Sequence, residues 1–190
     1  MFGSTKNWFG ILLAVIATGG LAVTTTTVAQ DAPQTRVVKQ GDLETLVTTT
    51  FKAPRAAVFR AFTSCEAIKE WMKPERMTLT ECSIDARVGG SLKLVFLASK
   101  DRRVEVRDTY RALDAPGTIQ YEESYDFSPL RMSVTATLEE SNGETRFKET
   151  LAYRSKAERD ADFPGIADSV PGAYAKLDRY VQGNPETTQR

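Results

Sequence analysis

The feature that most restricts the fold of this 190-residue chain is a long run of alternating apolar and polar residues in its middle. From residue 77 to residue 153 the alternation has a period of two, and turn sequences such as Gly89-Gly90 and Asn142-Gly143 interrupt it. This pattern is typical of strands with one buried face, and tight turns between such strands join antiparallel neighbours. We therefore expect six consecutive antiparallel strands in this region.

Helical patterns flank the strand region. A threonine-rich strand at 43–52 precedes two short helices at about 55–64 and 66–72, and a spacing of 3.6 predicts a final helix at about 168–181. Residues 154–163 are polar and are expected to form a connection. The predicted fold is α+β, with a curved seven-stranded antiparallel sheet around a long C-terminal helix and two short helices after strand 1. Space between such a sheet and its helix is a natural small-molecule site.

The first 29 residues have the layout of a signal peptide. Lys6 provides a positive charge, residues 8–23 are mostly apolar, and the small residues Thr27 and Ala29 precede the expected cleavage site. Cleavage would leave a secreted or periplasmic protein. The alternative is an uncleaved membrane anchor, although the apolar run is shorter than the roughly 20 residues that usually span a bilayer.

The rest of the chain is predicted to hold one domain at 43–183, after a flexible lead-in at 30–42 and before a polar tail at 184–190. The full chain has 25 lysines and arginines and 25 aspartates and glutamates, so removal of Lys6 leaves 24 against 25. Proteins that bind nucleic acid usually display a basic patch, and we therefore expect no nucleic-acid partner.

The composition also limits the chemistry of any site. The chain contains no histidine, which excludes a Ser-His or Cys-His nucleophile pair and any histidine-ligated metal site. Two cysteines and no histidine also make a poor ligand set for structural zinc. We expect neither a metal ion nor a cofactor.

The two cysteines, Cys65 and Cys82, both lie in the part of the chain that would be exported. An even number of cysteines in an oxidising compartment invites a disulfide. The alternative is two small buried side chains, because free cysteine often behaves as a buried hydrophobic residue. The spacing alone does not decide whether the sulfur atoms meet.

Strand alternation groups one set of side chains that suits a cavity wall. One face of a predicted strand carries Ile119, Tyr121, Glu123 and Tyr125. We expect this face to line the cavity, and burial there to raise the pKa of Glu123. Glu123 would then anchor the polar end of a ligand or act as a general base. Alternatively, it is a structural carboxylate that pairs with Arg107 or Arg111 or reaches solvent.

The predicted ligand-binding residues combine this face with large side chains from other elements. They are Trp71, Phe96, Tyr110, Tyr121, Glu123, Tyr125, Met132 and Tyr174. Trp71, close to Pro74 and between helix and sheet, suits the mouth of a cavity. The alternative for every apolar member of this set is ordinary core packing, because apolar residues mostly fill cores.

Six short motifs in a fixed order resemble those of a known protein family. They are Ala53-Pro54, Trp71-Met72-Lys73-Pro74, Asp85 with Arg87-Val88-Gly89-Gly90, Pro116 with Ile119, Tyr121 and Glu123, Tyr153 to Asp160, and Tyr174 with Leu177 and Asp178. Together they are similar to the activator of Hsp90 ATPase homologue branch of the SRPBCC (START-like) superfamily. The resemblance implies a helix-grip fold, in which the sheet curls around the C-terminal helix.

The chain departs from the family pattern in three ways. Met72 and Lys73 replace a tryptophan and a glycine, and Asp108 replaces a glycine two residues before Tyr110. The third departure is the export signal. The eukaryotic relatives that name the family activate a cytosolic chaperone ATPase, which a secreted chain would not meet. We expect no cytosolic chaperone partner, and membrane contact only if the N-terminal segment is uncleaved.

Three functions remain open. The favoured one is an exported, non-enzymatic protein that holds a small apolar or amphipathic ligand between the sheet and the C-terminal helix. The second is an enzyme of the cyclase, hydratase or isomerase type, with Glu123 as general base and Tyr110 or Tyr121 as acid, as in some members of the superfamily. The third is an interaction module of the cell envelope that uses the outer face of the sheet.

Overall fold

A computed structural model describes residues 34–74, 77–98 and 102–184 of the chain. In chain order the elements are β1 (Arg36–Gln40), β2 (Glu44–Phe51), α1 (Arg55–Thr63), α2 (Cys65–Trp71), β3 (Met77–Ile84), β4 (Ser91–Ala98), β5 (Arg103–Asp114), β6 (Thr118–Tyr125), β7 (Arg131–Ser141), β8 (Glu144–Tyr153) and α3 (Lys156–Gly183). The predicted signal peptide lies outside the described residues.

The strands form one antiparallel sheet in the order β1-β2-β8-β7-β6-β5-β4-β3. Strands β3 to β8 pair consecutively as antiparallel neighbours, and β2 extends the sheet by pairing with β8. The buried core combines residues of the sheet with residues of all three helices. The predicted α+β class, the six consecutive antiparallel strands and the long C-terminal helix are confirmed, and the arrangement is that of a helix-grip fold.

The sheet has eight strands, one more than the seven predicted. The additional strand, β1, falls inside the segment 30–42 that was expected to be a flexible lead-in. It pairs antiparallel with β2, from Arg36 opposite Thr48 to Gln40 opposite Glu44. Most of its side chains are exposed and follow no alternation, so pairing with the neighbouring backbone stabilises a strand that no local pattern indicates.

Helix α3 starts well before the predicted position near residue 168, so the polar segment 154–163 is mostly helical rather than a connection. The Ser155 hydroxyl caps the helix by accepting a hydrogen bond from the backbone N–H of Glu158 at 3.2 Å. Arg159, in the first turns of α3, is buried, and its side chain donates a hydrogen bond to the Gly41 carbonyl at 3.0 Å. Among the described residues no helix, α3 included, is long and apolar enough to cross a membrane.

The turn at Arg87-Val88-Gly89-Gly90 positions β4 against β5. Gly89 adopts a φ of 80°, which favours glycine, and its N–H donates to the Tyr110 carbonyl at 2.9 Å. The Tyr110 N–H donates in return to the Gly90 carbonyl at 3.0 Å. A side chain on Gly90 would lie 2.2 Å from the Asp85 carbonyl oxygen. The motif is therefore structural, and it fixes the strand that carries Tyr110.

A disulfide joins Cys65 at the start of α2 to Cys82 in β3, with 5.7 Å between the Cα atoms. Of the two alternatives that the sequence left open, the structure therefore contains the bonded one. The loop that the bond closes includes all of α2. The bond ties this helix to the far edge strand of the sheet, and α2 supplies Ile68 and Trp71 to the cavity described below.

Candidate ligand-binding cavity

A cavity of about 290 Å³ lies between the sheet and the helices. Its walls come from β4 to β8 on the sheet side and from all three helices on the other. Of its 22 lining residues, 19 are apolar or aromatic, and the other three are Asp108, Glu123 and Glu149. None of the described residues that line it is a lysine or an arginine. The volume is near the lower end of the roughly 300–1,000 Å³ of small-molecule sites.

The structure brings seven of the eight predicted binding residues to this wall. They are Trp71, Phe96, Tyr110, Tyr121, Glu123, Tyr125 and Tyr174. The eighth, Met132, is buried in the core opposite Glu123 in β6 and Tyr153 in β8, and it does not line the cavity. The expected face of β6 points into the cavity, because Ile119 lines it together with Tyr121, Glu123 and Tyr125.

The helical part of the wall is apolar, and a hydrogen bond from the Trp71 ring fixes the position of that side chain. Trp71 is only 2% exposed, and its ring N–H donates to the Ala61 carbonyl at 2.9 Å. Its ring meets the Phe62 ring edge to face, with 5.4 Å between the centroids. Ile166 and Val170 of α3 extend this apolar surface. This half of the cavity suits the apolar body of a ligand.

The sheet side of the wall carries the polar groups. Glu123 borders the cavity and accepts a hydrogen bond from the Tyr125 hydroxyl. Burial raises the pKa of Glu123 to about 7, in the direction that the sequence predicts, and the Tyr125 hydrogen bond opposes that shift. The alternative pairing with an arginine is not formed, since Arg107 pairs with Glu105 and Arg111 with Glu122.

Glu149 of β8 is, like Asp108, a buried carboxyl group. The Tyr174 hydroxyl donates to its Oε2 at 2.6 Å, and the Tyr121 hydroxyl lies 3.5 Å from its Oε1. Burial raises the pKa of Glu149, while both phenol hydrogen bonds lower it. The same burial and the nearby Glu149 charge raise the pKa values of both tyrosines well above their ordinary range.

Asp108 of β5 lies directly opposite Glu123 in the β5–β6 register and is 6% exposed. Its Oδ1 has no hydrogen-bond partner in the described part of the chain, and neither does the Tyr110 hydroxyl two residues on. Burial, the Glu123 charge and the Glu149 charge raise the pKa of Asp108. No group of three His, Cys, Asp or Glu residues within the described ranges could hold a metal ion.

Asp108 and Glu149 are the site residues that the sequence analysis did not identify as such. Asp108 lies on the same face of β5 as Val106 and Tyr110, and Glu149 lies on the apolar face of β8. The same signal selected Glu123, namely a carboxylate that interrupts the apolar side of a strand. Applied to every strand, it would have found all three.

A second depression, of about 340 Å³, lies over β2, β7 and β8 and is more open to solvent. Threonines and charged side chains dominate its lining, including Thr48, Thr50, Arg146 and Lys148. It contains none of the carboxyl groups with a raised pKa. Convergent polar groups within an apolar pocket are the stronger mark of a ligand site, and these occur in the cavity under α3.

Solved structures similar to this chain share its fold. A protein from Rhodobacter sphaeroides matches with a TM-score of 0.74 and 21% identity, over 78% of this chain and 98% of that chain. A protein from Nitrosomonas europaea matches with a TM-score of 0.69 and 14% identity, over 77% and 99%. A solution structure from Staphylococcus epidermidis gives 0.65 and 23%, over 78% and 94%. At these identities the likeness concerns the fold alone.

A comparison with curated proteins gave no match. The family model described as Activator of Hsp90 ATPase homolog 1-like protein matches residues 52–182, which is more than half of the chain. The matched segment runs from the end of β2 to the end of α3 and contains every residue that lines the cavity. The chain therefore belongs to the family of Activator of Hsp90 ATPase homolog 1-like proteins.

Proposed function

We propose that this protein is an exported binding protein that holds one small apolar or amphipathic molecule in the cavity between the sheet and α3. The observation that carries the proposal is a space of about 290 Å³ left open inside an otherwise closely packed core. Protein interiors normally contain few voids larger than a water molecule. A mostly apolar space of this size with a few convergent polar groups is the usual form of a small-molecule site.

The shape of the lining supports an amphipathic ligand. Apolar and aromatic side chains form most of the wall, and the carboxyl groups of Asp108, Glu123 and Glu149 lie together on the sheet side. A ligand would place its apolar body against the helices and its polar end against β5 and β6. The volume favours a molecule of the size of an aromatic metabolite over a two-chain lipid.

Export of the protein is supported by two independent features. The N-terminal segment has the layout of a cleavable signal peptide. The disulfide between Cys65 and Cys82 is the kind of bond that persists in oxidising compartments. A secreted or periplasmic location would separate the protein from cytosolic chaperones, so we do not extend the activity that names the family to this chain.

Binding of a neutral fluorescent probe, N-phenyl-1-naphthylamine, tests the proposal on the mature chain from Gln30. Wild-type protein should bind one probe molecule with a saturable rise in fluorescence. Ala136→Leu, whose side chain would enter the cavity from β7, should weaken binding by at least about tenfold, because the larger side chain narrows the space. Thr135→Leu, on the opposite face of the same strand, is the matched control and should bind as wild type.

Two outcomes would contradict the proposal. One is the absence of saturable binding by wild-type protein that is folded by circular dichroism. The other is equal binding by folded Ala136→Leu, which would locate the probe elsewhere. The cavity under α3 would then be a packing feature rather than a ligand site.

A second candidate function, an enzyme of the cyclase, hydratase or isomerase type, is favoured by one observation. Glu123, Tyr110 and Tyr121 all line the same cavity, and a carboxyl group with a pKa of about 7 suits a general base at neutral pH. Incubation with a metabolite extract, followed by chromatography and mass spectrometry, tests it. Consumption of a compound by wild type but not by Glu123→Gln supports catalysis, and identical profiles for the two proteins exclude it for the extract used.

A further inference from the structure

We propose that the ligand of this cavity is an organic cation, an amine whose protonated nitrogen lies between the carboxyl groups of Asp108 and Glu123. The inference rests on the proposed binding function and specifies its ligand class. Its basis is an imbalance of charge. The wall holds three carboxyl groups, and none of the described residues that line it is basic.

Hydrogen bonds within the wall leave a carboxyl oxygen of Asp108 without a donor. Asp108 and the neighbouring Glu123 are called the carboxyl corner of the cavity. Glu149 is served by two phenols, Tyr174 and Tyr121, and Glu123 by one, Tyr125. Asp108 receives no such donor, and its Oδ1 is buried without a partner in the described part of the chain. A buried acceptor without a donor is costly, so the corner formed by Asp108 and Glu123 calls for a donor from outside the protein.

The two carboxyl groups converge because of the strand register. Asp108 and Glu123 are directly paired across β5 and β6, and their side chains point to the same face of the sheet. Like charges directly opposite each other repel, and each raises the free energy of the other in the empty protein. A single cationic group between them would relieve that repulsion and supply hydrogen-bond donors to both.

The basic residues nearest in sequence are engaged elsewhere. Arg107 and Arg111 lie on the opposite face of β5, where they pair with Glu105 and Glu122. Arg159 of α3 is buried, but its guanidinium donates to backbone carbonyls and to Asp160. The protein thus fixes these cations away from the cavity, and a cation for Asp108 and Glu123 has to arrive with the ligand.

The rest of the wall suits an organic cation rather than a bare ion. Tyr110, Tyr121 and Tyr125 surround the carboxyl corner, and the electron-rich faces of aromatic rings attract ammonium groups. The apolar half of the cavity accommodates the hydrocarbon part of an amine. The Tyr110 hydroxyl, which is also buried without a partner in the described part of the chain, adds a further polar contact at the same corner.

Proton occupancy predicts how the affinity for an amine changes with pH. The titratable groups around Glu123 are Asp108 on β5, Tyr121 and Tyr125 on β6, Glu149 and Tyr153 on β8, and Tyr174 and Asp162 on α3. None of them is basic: burial and the charges of Glu149 and Asp162 favour the protonated, neutral form of Glu123 in the empty site, and the hydrogen bond from Tyr125 opposes this. An amine that requires the ionised form should therefore bind more tightly as pH rises through the Glu123 pKa of about 7.

Isothermal titration of three matched probes tests the inference at about pH 8, where Glu123 is ionised and a primary amine stays protonated. The probes share one aromatic body and differ in the head group: 2-phenylethylamine is a cation, 2-phenylethanol is neutral and phenylacetate is an anion. The amine should bind at least about tenfold more tightly than the alcohol, because hydrogen bonds between charged groups are stronger than those between neutral groups. Phenylacetate should bind the weakest.

Variants locate the charge that is responsible. Asp108→Asn and Glu123→Gln should each reduce amine affinity by about tenfold or more and leave alcohol affinity within about twofold. Glu122→Gln is the matched control, because this neighbouring residue of β6 is exposed and pairs with Arg111 outside the cavity. It should change neither affinity.

Preference for the alcohol or phenylacetate over the amine would overturn the inference. So would equal loss of amine binding in Glu122→Gln, or amine binding that both cavity variants leave unchanged. If none of the three probes binds at about 10 mM while N-phenyl-1-naphthylamine still does, the charge inference fails and the binding function stands. Failure of all four probes would contradict the proposed function itself.

Discussion

The interface between the sheet and α3 is packed differently on its β2–β8 side and on its β5–β6 side. Phe51 of β2 forms a cluster with three aromatic rings, one each from α1, β8 and α3, and the contacting centroids lie 5.1 to 6.1 Å apart. Around Glu123 of β6, side chains of similar size end in hydroxyl and carboxyl groups and border an open space. One continuous backbone frame therefore supports both a closed core and a cavity, and the side chains decide which forms.

The two sides of this interface differ in what they contribute to the stability of the fold. The aromatic side gains free energy from burial and ring packing and leaves little space. The β5–β6 side holds Asp108 and Glu123, with Glu149 of the neighbouring β8 close by, in a setting that disfavours their ionised forms. We propose that these carboxyl groups act in ligand binding, and the two sides should respond differently to mutation.

The largest difference should come from removing one phenylalanine on each side. Phe51→Ala should lower the free energy of unfolding by about 4 kcal/mol, because this ring is fully buried among other rings. Phe96→Ala should cost at least about 1 kcal/mol less, because its ring already borders empty space and has fewer partners to lose. Urea unfolding measures both, and equal losses would show that the two sides are equally packed.

The cavity side should also depend on its covalent link. Replacing both Cys65 and Cys82 by serine should lower the free energy of unfolding by about 3 kcal/mol, as expected for a loop of this length. Thermal unfolding of wild type with and without a reducing agent gives an independent measure, and the double variant should be insensitive to that agent. A double variant as stable as wild type would mean that α2 and β3 are held by packing alone.

Proton linkage provides a third distinction. The unfolded chain releases the Glu123 proton near the ordinary pKa of 4.5, whereas the folded protein holds it up to about 7. The folded state therefore binds more protons between these values, and stability falls as pH rises from about 4.5 to about 7. A pKa difference of this size corresponds to at most about 3 kcal/mol.

The effect is measured by urea unfolding of wild type and Glu123→Gln at about pH 5 and about pH 8. Wild type should lose stability at the higher pH, and the variant should lose clearly less. Asp108 and Glu149 keep a raised pKa in the variant, so part of the slope should remain. A wild-type protein that becomes more stable over this interval would contradict the burial of these carboxyl groups.

The smallest effect is expected on the outer face of the same two strands. Arg111→Ala breaks the exposed pair with Glu122, which lies on the other side of the sheet from Asp108 and Glu123. Exposed ion pairs contribute little, because water and salt screen them. Its melting temperature should match that of wild type at moderate salt. A clear loss would show that the outer face also stabilises the fold.

The sequence predicts the part of this molecule in which local patterns and tertiary structure agree. Period-two alternation identified six strands and the cavity-facing side of β6, because that period assigns each side chain to a face. The same logic missed β1, whose exposed residues are ordered by pairing with β2. The apolar pattern also missed the start of α3, because a buried residue of its first turns is Arg159 rather than an apolar residue. Ser155 and Glu158 form a capping pair, and this pair could have indicated that the helix begins there.

The sequence predicts only part of the candidate site, for a related reason. Aromatic residues and Glu123 stood out on one strand, whereas the meeting of Asp108 with Glu123 depends on the β5–β6 register across a bulge between Tyr110 and Ala112. No single-strand pattern contains that information. Met132 shows the opposite limit, since its parity correctly placed it on the inner face, but there it is buried in the core and does not line the cavity.

Native mass spectrometry of the protein purified from the cells that make it tests the cavity's role directly. We predict a polypeptide that begins at Gln30 and carries one small molecule, released on denaturation, with a basic nitrogen and an apolar body. A retained neutral or acidic molecule would keep the binding function and refute the cationic ligand. A bare polypeptide that also fails to bind N-phenyl-1-naphthylamine would contradict the central claim that this cavity is a ligand site.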